Sequence, residues 1–117
     1  MNVALDYRYR DLGNFKNYNS VVFANKLGLP AEEINNTLLE LTGADHLFVA
    51  ADHGLPEMFF KDFPHDPELD WEMHEYLSAS ETDLPINDAS GRDISDLLSD
   101  WSEADLASRE RRYLRGW

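Results

Sequence analysis

The sequence predicts an α+β fold: a mainly antiparallel sheet of four or five strands, one middle helix and a C-terminal helical pair. Three observations carry that reading. Residues 2–10 alternate apolar and polar with a period of two, and a second β-rich run follows a short turn. Two later segments repeat their apolar positions at helical spacing instead. The chain has 117 residues, 43% of them hydrophobic and 14 aromatic, which suits one domain with a core of its own, residues 1–117.

In chain order, Val3, Leu5, Tyr7 and Tyr9 alternate with Asp6, Arg8 and Arg10, as in a half-buried strand. The run Asp11-Leu12-Gly13-Asn14 reads as a turn. Residues 15–24 then form a second strand, strongest over Ser20-Val21-Val22-Phe23, antiparallel to the first. Arg8, Arg10 and Lys16 share an outward edge, where charge keeps foreign strands away. Gly28-Leu29-Pro30 opens a helix with Pro30 at its first position, Glu32 and Glu33 at the positive end of the dipole and Gly43 as the stop. Ile34, Leu38 and Leu41 form its apolar stripe.

Residues 46–50 suit a short buried strand with Leu47, Phe48 and Val49 in the core. Asp52-His53-Gly54 is a turn, and the proline at Leu55-Pro56 confines Met58-Phe59-Phe60 to a strand start or an edge. Pro64 and Pro67 make residues 61–69 an irregular loop. Residues 70–78 alternate again: Trp71, Met73, Glu75 and Leu77 on one side, Glu72, His74 and Tyr76 on the other. A polar loop spans 80–91. Ser90-x-x-Asp93 and Ser102-x-x-Asp105 then each resemble a helix start. Ile94, Leu97, Leu98 and Trp101 supply the stripe of the first helix, and residues 103–117 form a second that ends as a basic tail.

Charge is the unusual quantity. Residues 1–44 hold four bases against five acids, whereas residues 45–108 hold two bases, Lys61 and Arg92, against 17 acids. The tail returns to positive with Arg109, Arg111, Arg112 and Arg115 against Glu110, and these arginines pair most readily with the chain's own carboxylates. A net charge of −13 concentrated in the second half repels phosphates and anionic membrane surfaces and speeds encounter with basic partners. Direct nucleic-acid binding is therefore disfavoured. Solubility alone is the plainer explanation of the same charge. The absence of cysteine suits a reducing compartment, no apolar run reaches membrane-spanning length, and charges interrupt the N-terminal apolar pattern, unlike a secretory signal. These features together point to the cytoplasm.

The stretch 45–76 concentrates the candidate chemistry: all four histidines, nine of the 23 acids and six aromatics. His46, His53, His65 and His74 beside Asp45, Asp52, Asp66 and Glu75 could bind zinc or iron, yet their spacing matches no metal motif, and a solvated turn histidine is the commoner occupant of such positions. Paired carboxylates such as Asp66 with Asp70, or Glu72 with Glu75, need burial to raise one pKa for acid–base work. No nucleophile elbow or phosphate loop is present, so no catalytic residue and no cofactor is assigned. Phe59 and Phe60 are adjacent, so in a strand one points away from the other. One of them, Phe63 or Trp117 could anchor an interface.

The segments YRYRDLGNFKNYNSVVF, LFVAADHGLPEMFFKDFP and DWEMHEY resemble a family of small acidic bacterial proteins with no established activity, across most of residues 5–98. The resemblance implies a compact α+β domain and no particular site. The expected function is accordingly a non-enzymatic interaction protein, an inhibitor or immunity-type factor. Asp62, Asp66, Glu68, Asp70, Glu72, Asp83, Asp88, Asp96 and Asp100 would engage a basic surface of a protein partner, in the concrete case by imitating nucleic acid, with Phe63 and Trp117 as apolar anchors. The alternatives are a small metal-dependent enzyme using the four histidines, and an antitoxin-like or oligomeric structural domain pairing through Trp117 and the last helix.

Overall fold

The hairpin at the N-terminus builds the sheet. In the computed structural model, which describes residues 1–11, 13–60 and 73–103, β1 spans Asn2–Arg10 and pairs antiparallel with β2, Lys16–Phe23, from Val3↔Phe23 to Arg10↔Lys16. Asn14 turns the chain between them with a left-handed φ of 66°, and the Asp11 carboxylate accepts the Phe15 amide. β4, Met73–Thr82, lies along the other side of β1, and the short β3, Leu47–Val49, closes the far edge. The order is β2-β1-β4-β3, all antiparallel. Among the described residues the sheet thus has four strands, and residues 55–60 form none. Pro56 explains this: it has no amide to give a ladder, and its carbonyl accepts the Tyr7 hydroxyl at 2.5 Å instead.

Alternation decides the two faces. Val3, Leu5, Tyr7 and Tyr9 turn inward and are essentially buried, with Val21, Phe23 and Tyr76 beside them. Helix α1, Ala31–Thr42, covers β4 with Ile34 and Leu38, while Leu41 packs at the margin. The helix starts one residue later than expected. Pro30 stands before it with extended ψ of 139° and accepts the Ile34 amide, and Gly43 ends it at a φ of 77°. Of the β3 trio only Phe48 enters the core, because Leu47 and Val49 point to the opposite side of an edge strand. A 3-10 turn, Ala50–His53, then carries the chain under α2, a helix over residues 94–103. Ile94, Leu97 and Trp101 are buried there as their spacing requires.

Two boundaries move. β4 runs on to Thr82, past the expected loop start, since Ser78–Thr82 continue to pair with β1, while Asp70, Trp71 and Glu72 of the expected strand lie outside the described residues. A bulge interrupts that pairing: Tyr7 faces Tyr76 but Asp6 faces Ser78, which leaves Leu77 as the extra, outward residue. The cap of α2 is Asp93 rather than Ser90, its carboxylate accepting the Ser95 amide and hydroxyl at 3.0 and 2.6 Å. The expected break at Ser102 does not occur, for residues 94–103 are one continuous helix. The rest of the expected second helix and the tail arginines lie outside the described residues.

Candidate functional site

The acidic residues separate into those the fold uses and those it leaves outside. Glu75 is used: it receives Arg8 at 3.1 Å and Arg10 at 2.7 Å on the outer face of the sheet. The hairpin register places both arginines beside β4, and the Arg8 guanidinium also lies 5.8 Å from the Tyr18 ring centre. The Glu75 hydrogen bond is the main reason the Arg8 pKa rises, and burial opposes it.

The polar loop after β4 is also tied down. Asn87 exchanges hydrogen bonds with the backbone of Val22, and Asp88 donates its amide to the same carbonyl. The Asp88 carboxylate accepts the Arg92 amide and Nε through one oxygen and Nη2 at 3.0 Å through the other. Its side chain is 1% exposed. Desolvation pushes the Asp88 pKa up, but the hydrogen bonds from Arg92 outweigh it and leave the carboxyl below its ordinary value. Asp93 behaves alike: burial raises its pKa, while the Lys26 amide and Ser95 lower it further. Expecting Asp88 to meet a partner is therefore corrected. An aspartate four residues before an arginine in a tight turn closes on it, and no part of the pair is left to offer.

Asp83, Asp96 and Asp100 are exposed. On α2, Asp96, Asp100 and Glu103 stand at i, i+4 and i+7, on the side opposite Ile94, Leu97 and Trp101. Glu103 completes this carboxylate stripe, and its i+7 spacing from Asp96 is the sequence signal that finds it. Among the described residues the five bases are Arg8, Arg10, Lys16, Lys26 and Arg92, and the three arginines are held by Glu75 and Asp88. No ion pair within the described residues reaches the α2 stripe. Asp62, Asp66, Glu68, Asp70, Glu72, Phe63 and Trp117 lie outside the described residues.

The histidines part company. His46 is exposed in a turn with a φ of 58°. His74 is fully buried, its Nε2 accepts the Met58 amide at 3.0 Å, and the rings of Tyr9 and Phe59 stand 5.2 and 5.4 Å away. His53 is 7% exposed and lies flat on Trp101, with centroids 3.7 Å apart and planes 9° from parallel. Phe48 separates the two imidazoles, 6.1 Å from each. His53 Nδ1 is buried without a hydrogen-bond partner among the described residues. Burial lowers its pKa to about 4, with Arg92 adding to the shift and Asp52 opposing it. Both buried rings serve as aromatic packing. Among the described residues no three His, Asp or Glu side chains gather as a metal ion would require, and His65 lies outside them. Phe59 and Phe60 both reach the Tyr9 ring, at 4.8 and 6.3 Å, because their segment is not a strand and alternation does not separate them.

No helix of the described residues is long and apolar enough to cross a membrane. No family model, curated protein or solved structure matches the chain.

Proposed function

We propose that the chain is a non-enzymatic interaction protein of the cytoplasm, whose exposed carboxylates occupy a basic surface on another protein. One observation carries the reading: α2 presents Asp96, Asp100 and Glu103 along one side, while the three described arginines are engaged by Glu75 and Asp88. A helix rises 1.5 Å per residue, so Asp96 and Asp100 stand about 6 Å apart along a rigid axis. A row of fixed negative charges at such intervals suits a channel built for a phosphate backbone, which makes an inhibitor or immunity-type factor that imitates nucleic acid the specific form of the proposal. Asp83 is exposed as well, and Asp62, Asp66, Glu68, Asp70 and Glu72 would add their negative charge to the field a basic partner meets.

Capture from cell lysate on the immobilised protein tests it, with Asp96→Lys/Asp100→Lys as the comparison. A basic nucleic-acid-binding protein should be retained at low ionic strength, released at high, displaced by duplex DNA, and lost from the charge-reversed variant. Thermal unfolding of that variant should match the wild type, since both positions are exposed. A captured protein that is neutral or acidic, or retention indifferent to salt, would sink the proposal.

A further inference from the structure

The outer edge of β2 is covered over one half and bare over the other. Val22 and Ala24 direct their backbone groups away from β1 and are matched by Asn87, Asp88, Arg92 and Ile94. The unbroken β1–β2 register means that Lys16, Tyr18 and Ser20 point theirs the same way. Among the described residues no hydrogen bond runs to these amides or carbonyls. The opposite edge of the sheet, β3, is only three residues long. Beside the bare half, on the outer face, lies an open cavity of about 480 Å³ lined by Asp6, Tyr7, Tyr18, Asn19, Ser20 and Leu77. Its walls are Tyr18, 58% exposed, and the bulged Leu77, 37% exposed. The Asp6 carboxylate stands there with Ser78 Oγ at 3.5 Å.

We propose that the chain forms a two-fold dimer by antiparallel pairing of β2 with β2 of a second copy, centred on Tyr18, with Lys16 of each copy entering the cavity of the other to meet Asp6. The length of bare edge suits this occupant. With Tyr18 opposite Tyr18 of the partner subunit, Lys16 falls opposite Ser20 of the partner subunit, and about six hydrogen bonds close before the covered Val22 stops the ladder. Such a contact is self-complementary, as a two-fold axis demands. Charge agrees with it. Ser20 faces Asp6 within each copy, so Lys16 lies two strand spacings, about 10 Å in Cα terms, from Asp6 of the partner subunit. The intervening Ser20 is small enough to let the lysine side chain across. The contact also joins a part of the chain far less acidic than residues 45–108, since residues 1–44 hold four bases against five acids. The acidic stripe of α2 takes no part, so this dimer stands or falls apart from the partner-binding reading.

Sedimentation velocity over a range of concentrations tests the dimer, with circular dichroism confirming that each variant is folded. The wild type should dimerise. Lys16→Asp and Asp6→Lys should each weaken the dimer about tenfold or more, because each sets like charges together twice per dimer. An equimolar mixture of the two single variants restores opposite charges at both contacts and should dimerise again, as should the double variant Asp6→Lys/Lys16→Asp. A wild type that stays monomeric throughout overturns the proposal. So do single variants that dimerise like the wild type, or a mixture no stronger than its components. Should Asp6→Lys not fold, Ser20→Pro replaces it: this removes one outward amide that only the dimer uses, and retention of the dimer would overturn the proposal equally.

Discussion

His53 is a core residue that carries a titratable ring, and its surroundings give the fold a pH dependence with a definite sign. The unfolded chain binds a proton near pH 6.5 and the folded one only near pH 4, because burial against Trp101 disfavours the charged ring. Stability is therefore complete above about pH 6.5 and falls as pH drops toward 4, by on the order of 3 kcal/mol. Replacing His53 by Phe should remove that slope, measured by urea unfolding at pH 7 and pH 4.5. It should leave stability at pH 7 equal or higher, since Nδ1 has no partner to lose among the described residues. Asp88 acts in a different window. Its pKa is depressed, so its contribution is present above about pH 4 and is lost only as pH falls through the folded value. Asp88→Asn should lower stability at pH 7 by about 2 kcal/mol in the same measurement, the worth of charge-assisted bonds to Arg92.

At the scale of elements, α2 is the piece that the rest of the chain holds by several independent means. Asp93 caps it and bonds the Lys26 amide, the loop 87–92 ties its start to the end of β2, and Trp101 inserts against Phe48 at 5.0 Å and against His53. Trp101→Ala removes the largest buried side chain of the helix and should cost about 3–5 kcal/mol, seen as a lowered urea midpoint with the slope preserved. The hairpin and α1 were legible in the sequence because period-two and helical spacing state directly which side of each element is apolar. The end of β4, the fate of Met58-Phe59-Phe60 and the true cap at Asp93 were not. Each depends on which neighbour a backbone group meets, and local spacing carries no information about neighbours.

Across the whole molecule, charge is divided between two tasks. Glu75, Asp88 and Asp93 are consumed in joining strands, loop and helix, and take the three described arginines or backbone amides with them. Eleven exposed acids among the described residues, from Glu32 to Glu103, face solvent against the exposed Lys16 and Lys26. Among the described residues this imbalance is sharpened because Arg8, Arg10 and Arg92 are engaged by Glu75 and Asp88. Binding to a basic partner through such a surface should weaken steeply with salt, whereas pairing along the β2 edge rests on backbone hydrogen bonds and two local ion pairs.

By itself the sequence determined the α+β class, the hairpin, both helical stripes and the concentration of acid after residue 45, since each follows from composition or from periodicity along the chain. Only the tertiary structure decided which carboxylates are free, which histidines are core, and where the sheet leaves an edge open. Those properties belong to pairs of residues far apart in sequence, such as Arg8 with Glu75, His53 with Trp101 and Val22 with Asn87. A charged or aromatic side chain reads the same in the sequence whether its partner is solvent or another side chain, and folding alone makes the choice.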